Sequence, residues 1–151
     1  MSTMYNAGLF ALANRVRYDE RLVDPLGSAA KRSTTCGSSV IVDINLDVVG
    51  RVCEIGLLVR CCLLGRASAS LFANAVMGRT PDELVEARDE LAAWLSTSSG
   101  RVPDWPDIEA LAPALPFAAR HASIRLVFEA GAAAARNAAK RQCNSSSGTP
   151  S

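Results

Sequence analysis

Apolar and polar residues alternate most strictly over two neighbouring stretches. Val40, Val42, Ile44 and Leu46 alternate with Ile41, Asp43, Asn45 and Asp47. After a turn through Val48-Val49-Gly50, the residues Cys53, Ile55, Leu57 and Val59 alternate with Val52, Glu54, Gly56 and Leu58. A period of two predicts half-buried strands, here joined as an antiparallel hairpin. Opposite residues share a face, which pairs Val40 with Val59, Val42 with Leu57, Ile44 with Ile55 and Leu46 with Cys53. Helical spacing appears elsewhere. Leu9, Leu12, Ala13 and Val16 form one stripe of a helix over 5–18, which Asp24-Pro25-Leu26-Gly27 breaks. An Ala- and Ser-rich helix over 64–77 stops at Gly78. Thr80, Pro81 and Glu83 open the next helix through a capping box, with Leu84, Leu91, Trp94 and Leu95 as its buried stripe. A polar loop over 96–103 and a short helix over 107–111 follow, then a last helix over 119–141 with Ile124, Val127 and Phe128 inward. The architecture is α+β, a small antiparallel β-sheet packed against several α-helices.

The 151 residues read as one domain over 1–141, followed by a low-complexity, disordered tail over 142–151. With 49% hydrophobic and 21% charged residues the composition is that of a soluble globular protein. A net charge of +1 argues against nucleic acid or an acidic membrane surface as partner. Arg120, Arg125, Arg136, Lys140 and Arg141 read as a solvated helix face, with docking of an acidic partner as the alternative. Arg60 and Arg66 interrupt the most apolar region, so no transmembrane span is expected. The first residues lack the basic start and apolar run of a signal peptide, so the expected location is cytoplasmic. Five cysteines in a reducing compartment should be thiols, suited to metal, sulfur transfer or packing.

Cys36 precedes the first predicted strand and Cys62 follows the second, so the hairpin register carries them into proximity. Cys62 falls at the start of the 64–77 helix, where free N–H groups and the helix dipole favour a thiolate. Both could equally be small buried hydrophobes, a frequent fate of free cysteine. Cys61 should face away from Cys62 and pack, Cys53 should lie in the core, and Cys143 sits in the tail. A lone histidine such as His121 is most often structural. No CxxC pair, HExxH, Gly-rich phosphate loop or GxSxG occurs, so nothing supports a hydrolase or nucleotide-binding enzyme.

These residues resemble the IscU/NifU N-terminal-type iron–sulfur cluster assembly scaffolds. Cys36-Gly37-Ser38 is similar to the family's Cys-Gly-Asp before a strand. Cys62, followed by Ala67-Ser68-Ala69-Ser70-Leu71 and Gly78-Arg79-Thr80, is similar to its second motif and small-residue helix. Leu115-Pro116 and His121-Ala122-Ser123 look like the Leu-Pro segment and the His-Cys pair that opens the last helix. The likeness covers roughly 5–139. Departures are Ser38 for the Asp, Cys61-Cys62-Leu63-Leu64 for a Gly-rich surround, Ala122 for the third cysteine and Ala119 for a lysine. Leu115-Pro116-Phe117-Ala118-Ala119 stands for Leu-Pro-Pro-Val-Lys.

The resemblance implies a SufE/IscU-like fold and a non-enzymatic scaffold. Cys36, Cys62 and His121 would bind iron and an iron–sulfur cluster, of the [2Fe–2S] kind, with zinc as the alternative. A cysteine desulfurase and cluster-acceptor proteins would be its partners. Three ligands are one short of the usual four, with Ser38 and Cys61 the remaining candidates. Two other readings stay open: a sulfur-acceptor or zinc-binding partner of a cysteine desulfurase, and a degenerate interaction module without a cluster.

Overall fold

The structure, a computed structural model, describes residues 7–34, 37–97 and 101–147, with side-chain surroundings as far as Asn144. Helix α1 (Ala7–Ala13) leads to strands β1 (Gly27–Arg32), β2 (Ser39–Leu46) and β3 (Val52–Arg60). Helices α2 (Leu63–Ala75) and α3 (Pro81–Thr97) follow, then two 3₁₀ turns (Ile108–Ala114 and Ala118–Arg120) and the long helix α4 (His121–Ser147). The sheet is antiparallel in the order β1-β2-β3. This is the expected α+β architecture. One continuous core joins Val40, Val42, Ile44, Leu57 and Val59 of the sheet to Leu64, Phe72, Leu91, Ile124 and Phe128 of the helices.

The β2–β3 register is the one the alternation predicts: Val40 faces Val59, Val42 faces Leu57 and Ile44 faces Ile55. It departs at the hairpin end. A bulge between Asn45 and Leu46 pairs Leu46 with Val52, so Val52 is buried and Cys53 is exposed. The cause lies outside the hairpin. Val52 N–H donates to Arg79 O at 2.9 Å and Val52 O accepts from Gly78 N–H at 2.8 Å, so the turn before α3 captures Val52. Cys53 is therefore not a core residue. Its thiol donates to Asn45 O at 3.4 Å, and desolvation against the strand, then the charges of Asp47 and Glu54, push its pKa up.

Strand β1 carries no alternation and was not expected. Its Gly-Ser-Ala-Ala-Lys-Arg sequence suits an exposed edge, where Lys31 and Arg32 discourage further pairing. Helix α4 lies across β1 and β2. At Gly27 a side chain would collide with the backbone of Ala134 and Ala138, so this glycine and those alanines set how closely the two layers approach.

Helix α1 stops at Ala13, short of the 5–18 span. The chain then crosses the supposedly solvated face of the hairpin. Tyr18 O accepts from Leu57 N–H at 2.9 Å, and the backbone of residues 20–22 lies against Gly56, leaving no room for a Cβ there. This strap covers Asp43, whose side chain is fully buried rather than solvent-facing. Helix α4 also runs on to Ser147 instead of stopping at Arg141.

The capping box of α3 forms as expected: Thr80 N–H donates to Glu83 Oε1 at 2.9 Å, and Glu83 N–H to Thr80 Oγ1 at 3.2 Å. The hydrogen bond from the Thr80 backbone is the main reason the Glu83 carboxyl is held below its ordinary range. A Thr80→Ala variant is expected to lose about 1 kcal/mol. Calorimetry should then show a melting temperature about 2–4 °C lower; an unchanged value would mean that the box adds nothing.

Candidate functional site

Three chain segments meet at one end of the sheet. The first closes β1 onto β2. Ser33 N–H donates to Ser38 O at 2.8 Å and Gly37 N–H to Ser33 O at 3.2 Å, with Gly37 at φ +74° in the left-handed region that glycine tolerates. Cys36 belongs to this segment and lies outside the described residues. Ser38 is buried at its end.

The second segment joins β3 to α2. Cys62 caps α2 with extended backbone (φ −65°, ψ 176°), no side chain caps the helix, and Cys62 O accepts from Arg66 N–H at 3.0 Å. The thiol is half-buried at the N-terminal end of α2. Cys61, also half-buried, donates its S–H to Ser39 O at 3.6 Å. Gly65, one turn into α2, makes room for it. A Cβ on Gly65 would stand 2.5 Å from Cys61 Cβ, 3.0 Å from Cys61 Sγ and 3.3 Å from Ser123 O.

The third segment is the start of α4. Ser123 Oγ lies 3.4 Å from Ser38 Oγ, and Ser68 of α2 donates to Ile124 O at 2.6 Å. These contacts tie the loop before β2, α2 and the start of α4 together through serine hydroxyls. His121 is buried and turned another way. Its Nε2 lies 3.1 Å from Ala114 O and 3.0 Å from Leu115 O. Both neighbours are acceptors, so Nε2 must carry the hydrogen, and neutral imidazole then presents a lone pair at Nδ1. The ring shares the wall of a cavity of about 620 Å³ with Leu95, Leu115, Pro116, Ala122 and Arg125.

The structure thus brings the loop before β2, the start of α2 and the start of α4 together. Among the described residues no group of three or more His, Cys, Asp or Glu could hold one metal ion. Thiols and an imidazole are nonetheless donors that suit iron or zinc. Cys53 and Cys143 are exposed and outside the three segments. Sequence reasoning missed Ser123 as the tie between α4 and the first loop, since an isolated serine carries no pattern. Cys61, expected to pack and kept as a candidate fourth ligand, bonds Ser39 O and packs against Gly65. On the basic face of α4, Arg141 Nη1 donates to Pro25 O at 3.2 Å, so part of that stripe clamps the chain before β1.

Among solved structures, the N-terminal part of a nitrogen-fixing NifU-like protein from Brucella abortus matches at a TM-score of 0.83 with 32% identity. The match covers 91% of this chain and 95% of that one. An iron–sulfur cluster assembly scaffold protein for the SUF system from Fervidobacterium islandicum AW-1 matches at a TM-score of 0.78 over 87% of this chain and 96% of its own. At 12% identity the second shows likeness of fold alone. No protein-family model and no curated protein sequence matches the chain. No helix among the described residues is long and apolar enough to cross a membrane.

Proposed function

Since the chain belongs to the IscU/NifU N-terminal family of iron–sulfur cluster assembly scaffolds, we propose that Cys36, Cys62 and His121 hold a nascent [2Fe–2S] cluster as cargo. Sulfur would come from a cysteine desulfurase and the cluster would leave to acceptor proteins, with the chain itself catalysing no reaction and working in the cytoplasm. The observation that carries this reading is the junction, where Ser123 of α4 meets both Ser38 and the first turn of α2.

Each residue has a separate role in it. Cys62 offers a soft sulfur donor, half-buried at the start of α2. His121 offers Nδ1, its tautomer set by the Ala114 and Leu115 carbonyls in the manner of an outer-shell partner to a metal-bound histidine. Cys36 follows the strand that leads into the same junction. A set of three donors, one short of four, suits a carrier that must release its cargo.

The test is anaerobic reconstitution with ferrous iron and sulfide, read by visible absorption and retained iron. Wild type is expected to gain the charge-transfer bands of a cluster. Cys36→Ala, Cys62→Ser and His121→Ala should each retain about tenfold less iron. Equal uptake by all four proteins, or none by wild type, sinks the ligand assignment. Half-exposure of Cys62 at a helix start also favours a second reading, a sulfur acceptor for a desulfurase. Mass spectrometry after incubation with desulfurase and cysteine separates the two, since that reading requires an added sulfur on Cys62 or Cys36.

A further inference from the structure

We propose that the cavity between the end of α3 and the start of α4 binds a small organic acid, a carboxylate carried on an apolar body. The inference goes beyond the scaffold reading and does not depend on a bound cluster.

The cavity, about 620 Å³, lies within the size range of small-molecule sites. Leu95 of α3, with Leu115 and Pro116 from the turn before α4, gives it an apolar wall. Ala118, Ala119 and Ala122 end at Cβ, and their short side chains open the space. Arg125 is the cation in its lining. Arg125 Nε is buried and, among the described residues, has no hydrogen-bond partner. Glu129 does not fill that role, because its Oε2 stands 3.9 Å from Nε, beyond hydrogen-bond reach. The other polar side chains of the lining are already engaged. His121 Nε2–H lies against the Ala114 and Leu115 carbonyls, and Ser96 Oγ donates to Ala93 O at 3.2 Å. The donor left for a ligand is the Nε edge of Arg125.

A guanidinium edge is matched best by a carboxylate, which accepts from two N–H groups at once. The same chain shows this pairing elsewhere: Arg21 holds Asp43 through Nε at 2.6 Å and Nη2 at 3.1 Å. A buried donor without an acceptor is unfavourable, so an anion here gains both the charge and the hydrogen bond. Glu129 decides between anions. Its negative charge near Nε penalises a dianion such as phosphate more than a monocarboxylate. The apolar wall then favours a hydrocarbon body over a bare ion such as acetate.

The test uses the intact, metal-free wild-type chain with octanoate, its neutral counterpart octanamide, acetate and inorganic phosphate as probes. Binding is followed by amide chemical shifts in two-dimensional NMR. Octanoate should bind at least about tenfold more tightly than each of the other three, the scale of one charge-assisted contact. The shifts should concentrate at residues 95–96 and 115–125. Arg125→Gln should bind octanoate about tenfold more weakly, with octanamide unchanged. Equal binding of octanoate and octanamide by wild type overturns the proposal, and so does the absence of octanoate binding. Shifts centred elsewhere, or undiminished affinity in Arg125→Gln, overturn it as well. The wild-type comparison needs no variant, so it decides the matter even where Arg125→Gln fails to fold. Cluster loading is not read in any of these arms, so the scaffold reading stands or falls separately.

Discussion

Replacing Phe72 by alanine is expected to remove about 3–5 kcal/mol of stability, the range for deleting a buried aromatic ring from a packed core. Phe72 is completely buried on α2. Its ring stacks on Trp105 (centroids 5.9 Å apart, planes 6° apart) and meets Phe128 of α4 edge-on at 5.4 Å. Trp105 and Phe128 close the triangle at 5.1 Å. Gly131 of α4 accommodates the ring, since a Cβ there would overlap its edge. Trp105 is itself fixed, donating Nε1–H to Leu71 O at 2.8 Å beneath the Arg79 guanidinium at 4.0 Å. With only 5–15 kcal/mol typical of a whole domain, such a loss removes a large share of the fold's stability. Urea unfolding should show a lower midpoint with an unchanged slope. There is also a functional arm. Phe72 and Phe128 lock α2 against α4, and the candidate donors Cys62 and His121 sit at the starts of those two helices. A folded Phe72→Ala protein should therefore retain a reconstituted cluster less well. A stability change under 1 kcal/mol would show that the aromatic triangle does not hold the helices together.

Removing Arg21 is expected to produce the second large effect, and one that depends on pH. The Asp43 side chain is fully buried, and Arg21 reaches it with Nε at 2.6 Å and Nη2 at 3.1 Å. Ser28 Oγ donates at 2.7 Å and Leu22 N–H at 3.0 Å. Burial alone would push the Asp43 carboxyl up. The hydrogen bonds from Arg21, Ser28 and Leu22, with the Arg21 charge, outweigh it and hold the carboxyl below its ordinary range. A carboxyl depressed in the folded state stabilises the fold above its unfolded pKa, and that contribution fades as pH falls through the lower folded value. Wild type should therefore hold its strap until the solution is more acidic than an ordinary carboxylate requires. Arg21→Ala should cost about 2–3 kcal/mol at neutral pH, less than a fully severed buried pair because Ser28 and Leu22 still bond the carboxylate. The Asp43 pKa then rises, and acid unfolding followed by circular dichroism should begin at higher pH. An identical acid midpoint in both proteins would refute the assignment.

Much of this molecule was legible because periodic patterns are local. Alternation in two stretches was enough for the β2–β3 register from Val40↔Val59 to Ile44↔Ile55. Thr80 and Glu83 announced their own reciprocal bonds, since both partners lie within one turn. Cys53 was misread because its facing is decided by Gly78 and Arg79, which hold Val52 from outside the hairpin. The burial of Asp43, on the polar side of a half-buried strand, has the same kind of cause: a strap more than twenty residues upstream covers it.

From the chain alone, then, one can read the hairpin, the helices, the capping box and the candidate residues Cys36, Cys62 and His121. These are recorded in the spacing of neighbouring residues. Packing between distant segments decided the rest: the edge strand β1, the bulge that expels Cys53, the buried Arg21–Asp43 pair, the carbonyls that orient His121 and the junction that gathers Cys61 with Ser123. None of these leaves a periodic trace, because each depends on which distant surface arrives and on the hydrogen bonds that its burial then demands.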